Sequence, residues 1–138
     1  MYQSYEGAIA PDFSIPIQLP LYVQLQSVAD SRAIGSWLQR CGVDVIPNIR
    51  WGEEATYAFC FDGVEPGGTV AVGTLGCVRD RELREVFRRG VPEMVRRLVP
   101  KCVVVYGPLR DDLLAPIYEA GIEVLHFKSQ TTIAYEAM

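Results

Sequence analysis

Short apolar runs alternate along this chain with longer stretches in which apolar residues recur every three or four positions. The densest run spans residues 101–106 and contains three consecutive valines, and a second spans residues 69–73. Runs of this kind are typical of central strands in a parallel sheet, which are covered on both faces. Weaker runs predict three further strands, over residues 8–15, 43–49 and 122–127.

The longest stretch with helical spacing covers residues 20–40. It opens with Pro20, which the first turn of a helix tolerates, and Gly42 follows its end as a C-terminal cap would. Leu25 and Trp37 fall on its apolar positions. We therefore predict one long helix here and expect Trp37 in the core.

Glycine and proline divide the later helical stretches. Gly90 is expected to end a helix over residues 80–89, and Pro92 to begin a second short one. A last helix is predicted over residues 112–120. Residues 56–61 fit a strand and a short helix equally well.

Strands that alternate with helices predict an α/β fold, with a mostly parallel sheet joined by right-handed crossovers. A chain of 138 residues has the usual size of one domain. We therefore expect a single α/β domain over residues 1–138, with a sheet of about five strands and helices on both faces. A partial β/α barrel is the alternative, because the sequence does not reveal the order of the strands.

The net charge and the cysteine content limit the classes of function that this protein can have. The net charge of −4 argues against a general electrostatic grip on nucleic acid, which needs a basic face. The beginning of the chain lacks the pattern of a secretory signal, and no apolar run could span a bilayer, so we expect a cytoplasmic protein. Four widely spaced cysteines and a single histidine favour reduced thiols and no metal site. Both common glycine-rich nucleotide motifs are absent, so no cofactor is identified.

Parallel α/β sheets bind ligands at the carboxyl ends of their strands. The segments that follow the predicted strands are rich in cations, polar side chains and glycine, and the first turn of the helix after residue 80 offers free N–H groups to an anion. The candidate ligand-binding residues are Asp12, Ser14, Arg50, Trp51, Thr74, Arg79, Gly107 and Arg110.

These residue types suit a phosphate-bearing ligand, because arginines neutralise its charge and a loop tryptophan such as Trp51 stacks on a base or a sugar. The alternative is a solvated edge on which the arginines pair with the acidic residues around them, while Trp51 covers the edge of the core.

A catalytic reading rests on Cys77, His126 and Asp12, which all fall near predicted strand ends. A thiol near a helix start has a lowered pKa and serves as a nucleophile. The alternative is a packed thiol and a hydrogen-bonded histidine at the edge of the core. Whether the protein is an enzyme stays open at this point.

Several short motifs occur in a characteristic order: Pro-Asp-Phe-Ser at residues 11–14, Val-Ile-Pro-Asn-Ile-Arg-Trp at residues 45–51, and Val-Val-Tyr-Gly-Pro at residues 104–108. The chain resembles, from about residue 8 to residue 108, a family catalogued as a domain of unknown function and common in phages, plasmids and integrated elements of bacteria. The resemblance implies a mobile-element setting and no particular chemistry. The positions it marks as signatures are Asp12, Ser14, Arg32, Arg50, Trp51 and the turn at residues 106–108.

Three functions follow from these observations. The first is binding of a phosphate-bearing ligand, such as a nucleotide or a nucleic-acid end, at the carboxyl edge of the sheet. The alternative is a protein-interaction module that modulates a host factor without catalysis. A hydrolase dependent on Cys77 or Asp12 is the least favoured. The sequence names neither the ligand nor the oligomeric state.

Overall fold

A computed structural model of the protein describes residues 7–10, 18–74, 76 and 80–127. Three helices and five short strands alternate along it. The elements are β1 (Gly7–Ile9), α1 (Leu21–Arg40), β2 (Asp44–Ile46), a 3₁₀ helix (Glu54–Ala58), β3 (Thr69–Gly73), α2 (Arg81–Leu98), β4 (Cys102–Tyr106), α3 (Asp111–Glu119) and β5 (Glu123–Phe127). The predicted α/β class is confirmed, and the undecided segment at residues 56–61 begins within the 3₁₀ helix.

The strands form two parallel sheets instead of the single sheet of about five strands that the sequence predicts. One pairs β1 with β2, and the other has the order β3-β4-β5. The chain just after β2 connects them, because the Ile49 N–H donates to the Ala71 carbonyl at 2.8 Å and the Ala71 N–H donates to the Pro47 carbonyl at 2.9 Å. Neighbouring strands therefore follow the order of the chain, as in a partial β/α barrel, but the described strands do not close into one.

One face of the larger sheet carries most of the core. Alternate residues of β3 and β4 point to this face, and helices α2 and α3 pack on it. The strands contribute Val70, Val72, Val103 and Val105, and the helices contribute Val91, Met94, Leu113, Leu114 and Ile117. The two helices thus share one face of this sheet, as right-handed crossovers between neighbouring strands require. The sequence analysis instead expected helices on both faces of the sheet.

Helix α2 is continuous, so the predicted division at Gly90 and Pro92 is wrong. The helix begins where the Asp80 side chain accepts hydrogen bonds from two backbone N–H groups of the first turn, at 2.9 and 3.2 Å. Intrinsic penalties of about 1 kcal/mol for a glycine and about 3 kcal/mol for a proline oppose the helix. Burial of one face of the helix from Phe87 to Leu98 outweighs these penalties.

Helix α1 has an inner and an outer stripe at helical spacing, and the structure buries only the inner one. The inner stripe is Gln24, Val28, Ser31, Gly35 and Leu38. Trp37 lies on the opposite side and is 60% exposed, so its predicted place in the core is wrong. Residues 37 and 38 are separated by about 100° around a helix, which is why one is buried and its neighbour is not.

No helix in the described part of the chain is long and apolar enough to cross a membrane.

Candidate functional site

Backbone and side-chain hydrogen bonds hold the carboxyl ends of β3, β4 and β5 together. The Thr74 N–H donates to the Tyr106 carbonyl at 3.1 Å, and the Gly107 N–H donates to the Phe127 carbonyl at 3.0 Å. The hydroxyl of Thr74 is fully buried and donates to the Pro108 carbonyl at 2.5 Å. The predicted ligand-binding residues Thr74 and Gly107 therefore serve to join strand ends, and Thr74 presents no hydroxyl to solvent.

His126, on the edge strand β5, belongs to the same arrangement. Its Nε2 lies 2.6 Å from the carbonyl oxygen of Gly107. The alternative to a catalytic histidine, a hydrogen-bonded histidine at the edge of the core, predicts a contact of this kind. The two other members of the candidate catalytic group, Cys77 and Asp12, lie outside the described residues.

Trp51 is buried and does not stand in a free loop. Its indole Nε1 donates to the Val86 carbonyl at 3.1 Å. Its ring packs against Phe61 and Phe87, with centroid separations of 6.1 and 5.2 Å. A ring held in this way covers the core under α2, and it is not presented for stacking on a ligand.

Two predicted cations lie at strand ends in the described structure. Arg50 is half-buried and follows the buried Ile49. The Arg110 guanidinium makes two hydrogen bonds of 3.0 Å to the carboxylate of Asp112, and these bonds hold the pKa of that exposed carboxyl below its usual value. Arg110 is therefore already paired, as the solvated-edge interpretation expects. Three predicted residues, Asp12, Ser14 and Arg79, lie outside the described residues.

The prediction missed Asn48, which occupies the centre of the junction between the two sheets. Its side-chain amide donates to the Ala10 carbonyl at 3.2 Å and to the Tyr106 hydroxyl at 2.7 Å. Its Oδ1 is buried and has no hydrogen-bond partner within the described structure. A buried acceptor without a donor costs about 1–3 kcal/mol, so Oδ1 is an acceptor that the described part of the fold leaves unused.

Gly73 makes room for the tyrosine that Asn48 contacts. A Cβ at Gly73 would lie 2.6 Å from Cε2 of the Tyr106 ring, closer than any side chain permits. The ring therefore lies across the neighbouring strand, and its hydroxyl reaches Asn48. The signal for this pair was present in the sequence, because Asn48 and Tyr106 belong to two of the short motifs.

Arg32 fastens helix α1 to the segment between β2 and β3. Its guanidinium donates to the carbonyls of Asp62 at 2.9 Å, Cys60 at 3.0 Å and Asn48 at 3.2 Å. Burial lowers the pKa of Arg32 below its ordinary value. This position is structural, and the planar fork of donors explains why an arginine is needed here.

A cleft of about 420 Å³ lies between the 3₁₀ helix and the second half of α2. Its walls carry Glu53, Tyr57, Arg89, Glu93 and Arg97. Arg97 bonds Glu93 at 2.9 Å, donates to the Tyr57 carbonyl and lies 5.6 Å from the centroid of a phenylalanine ring. Gly52 and Val86 also line this cleft, so it lies beside the segment that follows β2, next to Trp51.

Exposed apolar residues also form a stripe along α1. We call it the outer face of α1, defined by Tyr22, Leu25, Ala29, Ala33 and Trp37. All five are exposed and recur at spacings of three or four, so they form one continuous strip along the helix. Tyr22 is 74% exposed and Leu25 is 46% exposed. Contiguous apolar strips on a soluble domain mark contact surfaces.

Comparisons with known proteins identify relatives of the chain. The family described as "Domain of unknown function (DUF4417)" matches residues 1–128. The "Gene 1 protein" of Mycobacterium phage L5 is 39% identical over 112 residues, which are 80% of this chain and 49% of that protein. The "Gene 1 protein" of Mycobacterium phage D29 is 34% identical over 116 residues, or 83% of this chain and 43% of that protein. This chain thus spans about half the length of these relatives. No solved structure matches it.

Proposed function

Since this chain belongs to the DUF4417 family and is related to phage proteins, we propose that it is a non-catalytic protein-interaction module whose contact surface is the outer face of α1. One observation carries the proposal. A 20-residue helix exposes a full apolar strip, including Tyr22 and Trp37, opposite the stripe that it buries. Exposure of a tyrosine and a tryptophan is costly in water and useful in an interface, where these residues dominate binding energy.

The strand ends support this proposal indirectly. Thr74 and Trp51 are buried and bonded within the fold, and Arg110 is paired with Asp112. These three candidate groups therefore have structural partners within the fold, which favours a function carried by the surface of the domain.

The test compares partner capture by matched surface variants. The immobilised domain is exposed to a lysate of a bacterial host, and retained proteins are identified by mass spectrometry. We expect Trp37→Ser and Tyr22→Ser to lose the partner while the thermal midpoint stays unchanged. Tyr118→Ser is the control, because Tyr118 is an exposed tyrosine on α3, away from the outer face of α1. Equal capture of the partner by all variants would contradict the proposal.

A second candidate function, binding of a phosphate-bearing ligand, is favoured by Asn48. Its buried, unpartnered Oδ1 lies between the two sheets, close in sequence to Arg50, so a nucleotide could give this acceptor a donor from its base or sugar. A ligand present at 100 times its dissociation constant adds about 2.7 kcal/mol of stability. A thermal-shift screen of nucleotides, sugar phosphates and short oligonucleotides tests this function. We expect a shift that Asn48→Ala and Arg50→Ala each weaken and Arg40→Ala retains, and no shift with any compound contradicts it.

A further inference from the structure

We propose that the cleft between the 3₁₀ helix and α2 binds a small molecule that carries a primary ammonium group, held by Tyr57, Glu54 and Glu93. The cleft shares no residue with the outer face of α1, so this inference goes beyond the proposed interaction function. It is carried by three acceptor groups that line one cavity and that the described part of the fold leaves unused.

Tyr57 presents a hydroxyl to the cleft from a buried ring. The residue is only 9% exposed, and its ring packs against Phe61 with centroids 6.1 Å apart. Burial raises the pKa of the hydroxyl, as do the negative charges of Glu93 and Glu54, whereas Arg89 lowers it. These three charged residues all line the cleft, so the hydroxyl faces it. Within the described residues this hydroxyl makes no hydrogen bond, although a tyrosine in such a buried position usually has a partner.

Glu53 and Glu54 bring two carboxylates to the cleft from the start of the 3₁₀ helix. Neither side chain forms an ion pair or a hydrogen bond in the part of the chain that the structure describes. Both are exposed, so their negative charges are available to a ligand.

Glu93 supplies a further acceptor from α2. Arg96 and Arg97 both donate to its Oε2, at 2.6 and 2.9 Å. These bonds hold the pKa of Glu93 below its ordinary value, so the carboxylate is ionised at neutral pH. Because both arginines use the same oxygen, Oε1 keeps its capacity to accept a hydrogen bond from a ligand.

The charge of the lining favours a cation. Three carboxylates and two guanidiniums line the cleft. Both guanidiniums already bond a carboxylate, Arg89 to Glu85 at 3.1 Å and Arg97 to Glu93 at 2.9 Å. The two carboxylates of the 3₁₀ helix are therefore uncompensated, and they attract a cation and repel an anion.

A primary ammonium group matches this set of acceptors. It has three N–H donors, one each for the Tyr57 hydroxyl oxygen, the Glu54 carboxylate and Oε1 of Glu93. A volume of about 420 Å³ is that of a small-molecule site, and Ala58 and Val86 offer apolar contact to an alkyl chain. The two guanidiniums weaken the attraction, so we expect a dissociation constant of roughly 0.1–1 mM for a simple alkylamine.

The first experiment titrates the isotope-labelled domain with n-butylamine, over roughly 0.05–10 mM, and follows the backbone amide signals by NMR. At pH 7 the amine is protonated, since its pKa resembles the value of about 10.4 for lysine. We expect saturable shifts at Gly52 and Ala58, which line the cleft. n-Butanol, without a charge, should give none. Butyltrimethylammonium keeps the charge but has no N–H donor, so it should bind about fivefold more weakly or worse. Absence of saturable shifts with the amine, or equal shifts with the alcohol, overturns the site.

The second experiment repeats the titration with matched variants. Glu54→Gln should weaken amine binding about tenfold, because it removes a charged acceptor. Tyr57→Phe keeps the buried ring and removes only the hydroxyl, so it should weaken binding about fivefold. Glu65→Gln is the control, since it removes an exposed carboxylate from the turn before β3. Equal affinities for Glu54→Gln and Glu65→Gln overturn the assignment to this cleft.

Trp37→Ser separates the amine site from the proposed interaction function. This variant alters the outer face of α1 and should bind n-butylamine as the wild type does. If no amine binds while partner capture still depends on Trp37, the amine site is wrong and the interaction function stands. If the amine binds and capture is insensitive to Trp37, the amine site stands alone.

Discussion

The indole of Trp51 lies so close to Gly90 that a Cβ on this glycine would stand 2.0 Å from the indole Nε1. The contact joins the segment after β2 to the middle of α2. It explains a glycine inside a long helix, because the ring occupies the space of a side chain. The same ring donates a hydrogen bond to the α2 backbone at Val86, so the helix and the loop are held at one point.

Gly90→Ala is therefore expected to destabilise the fold by about 3 kcal/mol or more, since overpacking outweighs the helix propensity that alanine gains. Gly35→Ala in α1 is the matched control. A Cβ there meets Ala10 and Val45 at an ordinary 3.6 Å, so this change should stabilise by about 0.5–1 kcal/mol. Urea denaturation gives both values. Similar signs for the two substitutions would contradict the close contact at Trp51.

Arg32→Met should destabilise the domain by about 3 kcal/mol, because three carbonyls lose a charged donor that methionine cannot replace. Arg32→Lys should recover only part of this loss, since an ammonium group lacks the planar fork. Arg40→Met, an exposed arginine in the last turn of the same helix, should cost about 0.5 kcal/mol or less. Chemical denaturation measures all three, and a wild-type stability for Arg32→Met would disprove the structural role.

Arg96 and Arg97 both pair with Glu93, yet only Arg97 also bonds the Tyr57 carbonyl and lies over Phe61. Arg97→Ala should therefore cost about 1–2 kcal/mol, through the lost hydrogen bond, the cation–π contact and the packing of its stem. Arg96→Ala removes an exposed ion pair and should change stability by about 0.5 kcal/mol at most. Thermal unfolding of the two variants at equal pH decides, and equal losses would show that only the ion pairs matter.

Alkaline pH should weaken the fold through Cys60. Burial raises the pKa of this thiol to about 12 in the folded state, whereas an unfolded thiol has a pKa of about 8.5. Above the lower value the unfolded chain releases a proton that the folded chain retains. The free energy of unfolding then falls by up to about 1.4 kcal/mol per pH unit until the folded thiol ionises.

The measurement is urea denaturation at several pH values from about 8 to 10.5, the window in which the unfolded thiol ionises. Cys60→Ala should show a shallower decline than the wild type, whatever its stability at neutral pH. Cys41→Ala, at an exposed cysteine, should keep the wild-type decline. Identical slopes for all three proteins would show that Cys60 does not contribute.

Much of the fold followed from local patterns. The dense valine run predicted β4, and the glycine after the long amphipathic stretch marked the end of α1. The motif order also indicated the family, which the comparisons confirm. Such signals are local, because propensity, spacing and turn chemistry act within a few residues of one another.

The tertiary structure decided which of two stripes on α1 is buried. Both stripes have helical spacing, so periodicity alone predicted Trp37 in the core. The inner stripe is buried because Val28 packs into the core and Gly35 lies against Ala10 and Val45, whereas no described element covers Trp37. The choice depends on residues that are distant in sequence.

The same distinction between sequence and tertiary structure applies to the candidate site. The sequence determined which polar groups follow the strands, among them Thr74 and Arg110. Only the assembled fold showed that these two are occupied, by Pro108 and Asp112, and that Asn48 keeps a buried acceptor without a donor. A side chain's hydrogen-bond partners are set by distances across the fold, and local sequence patterns carry no record of those distances.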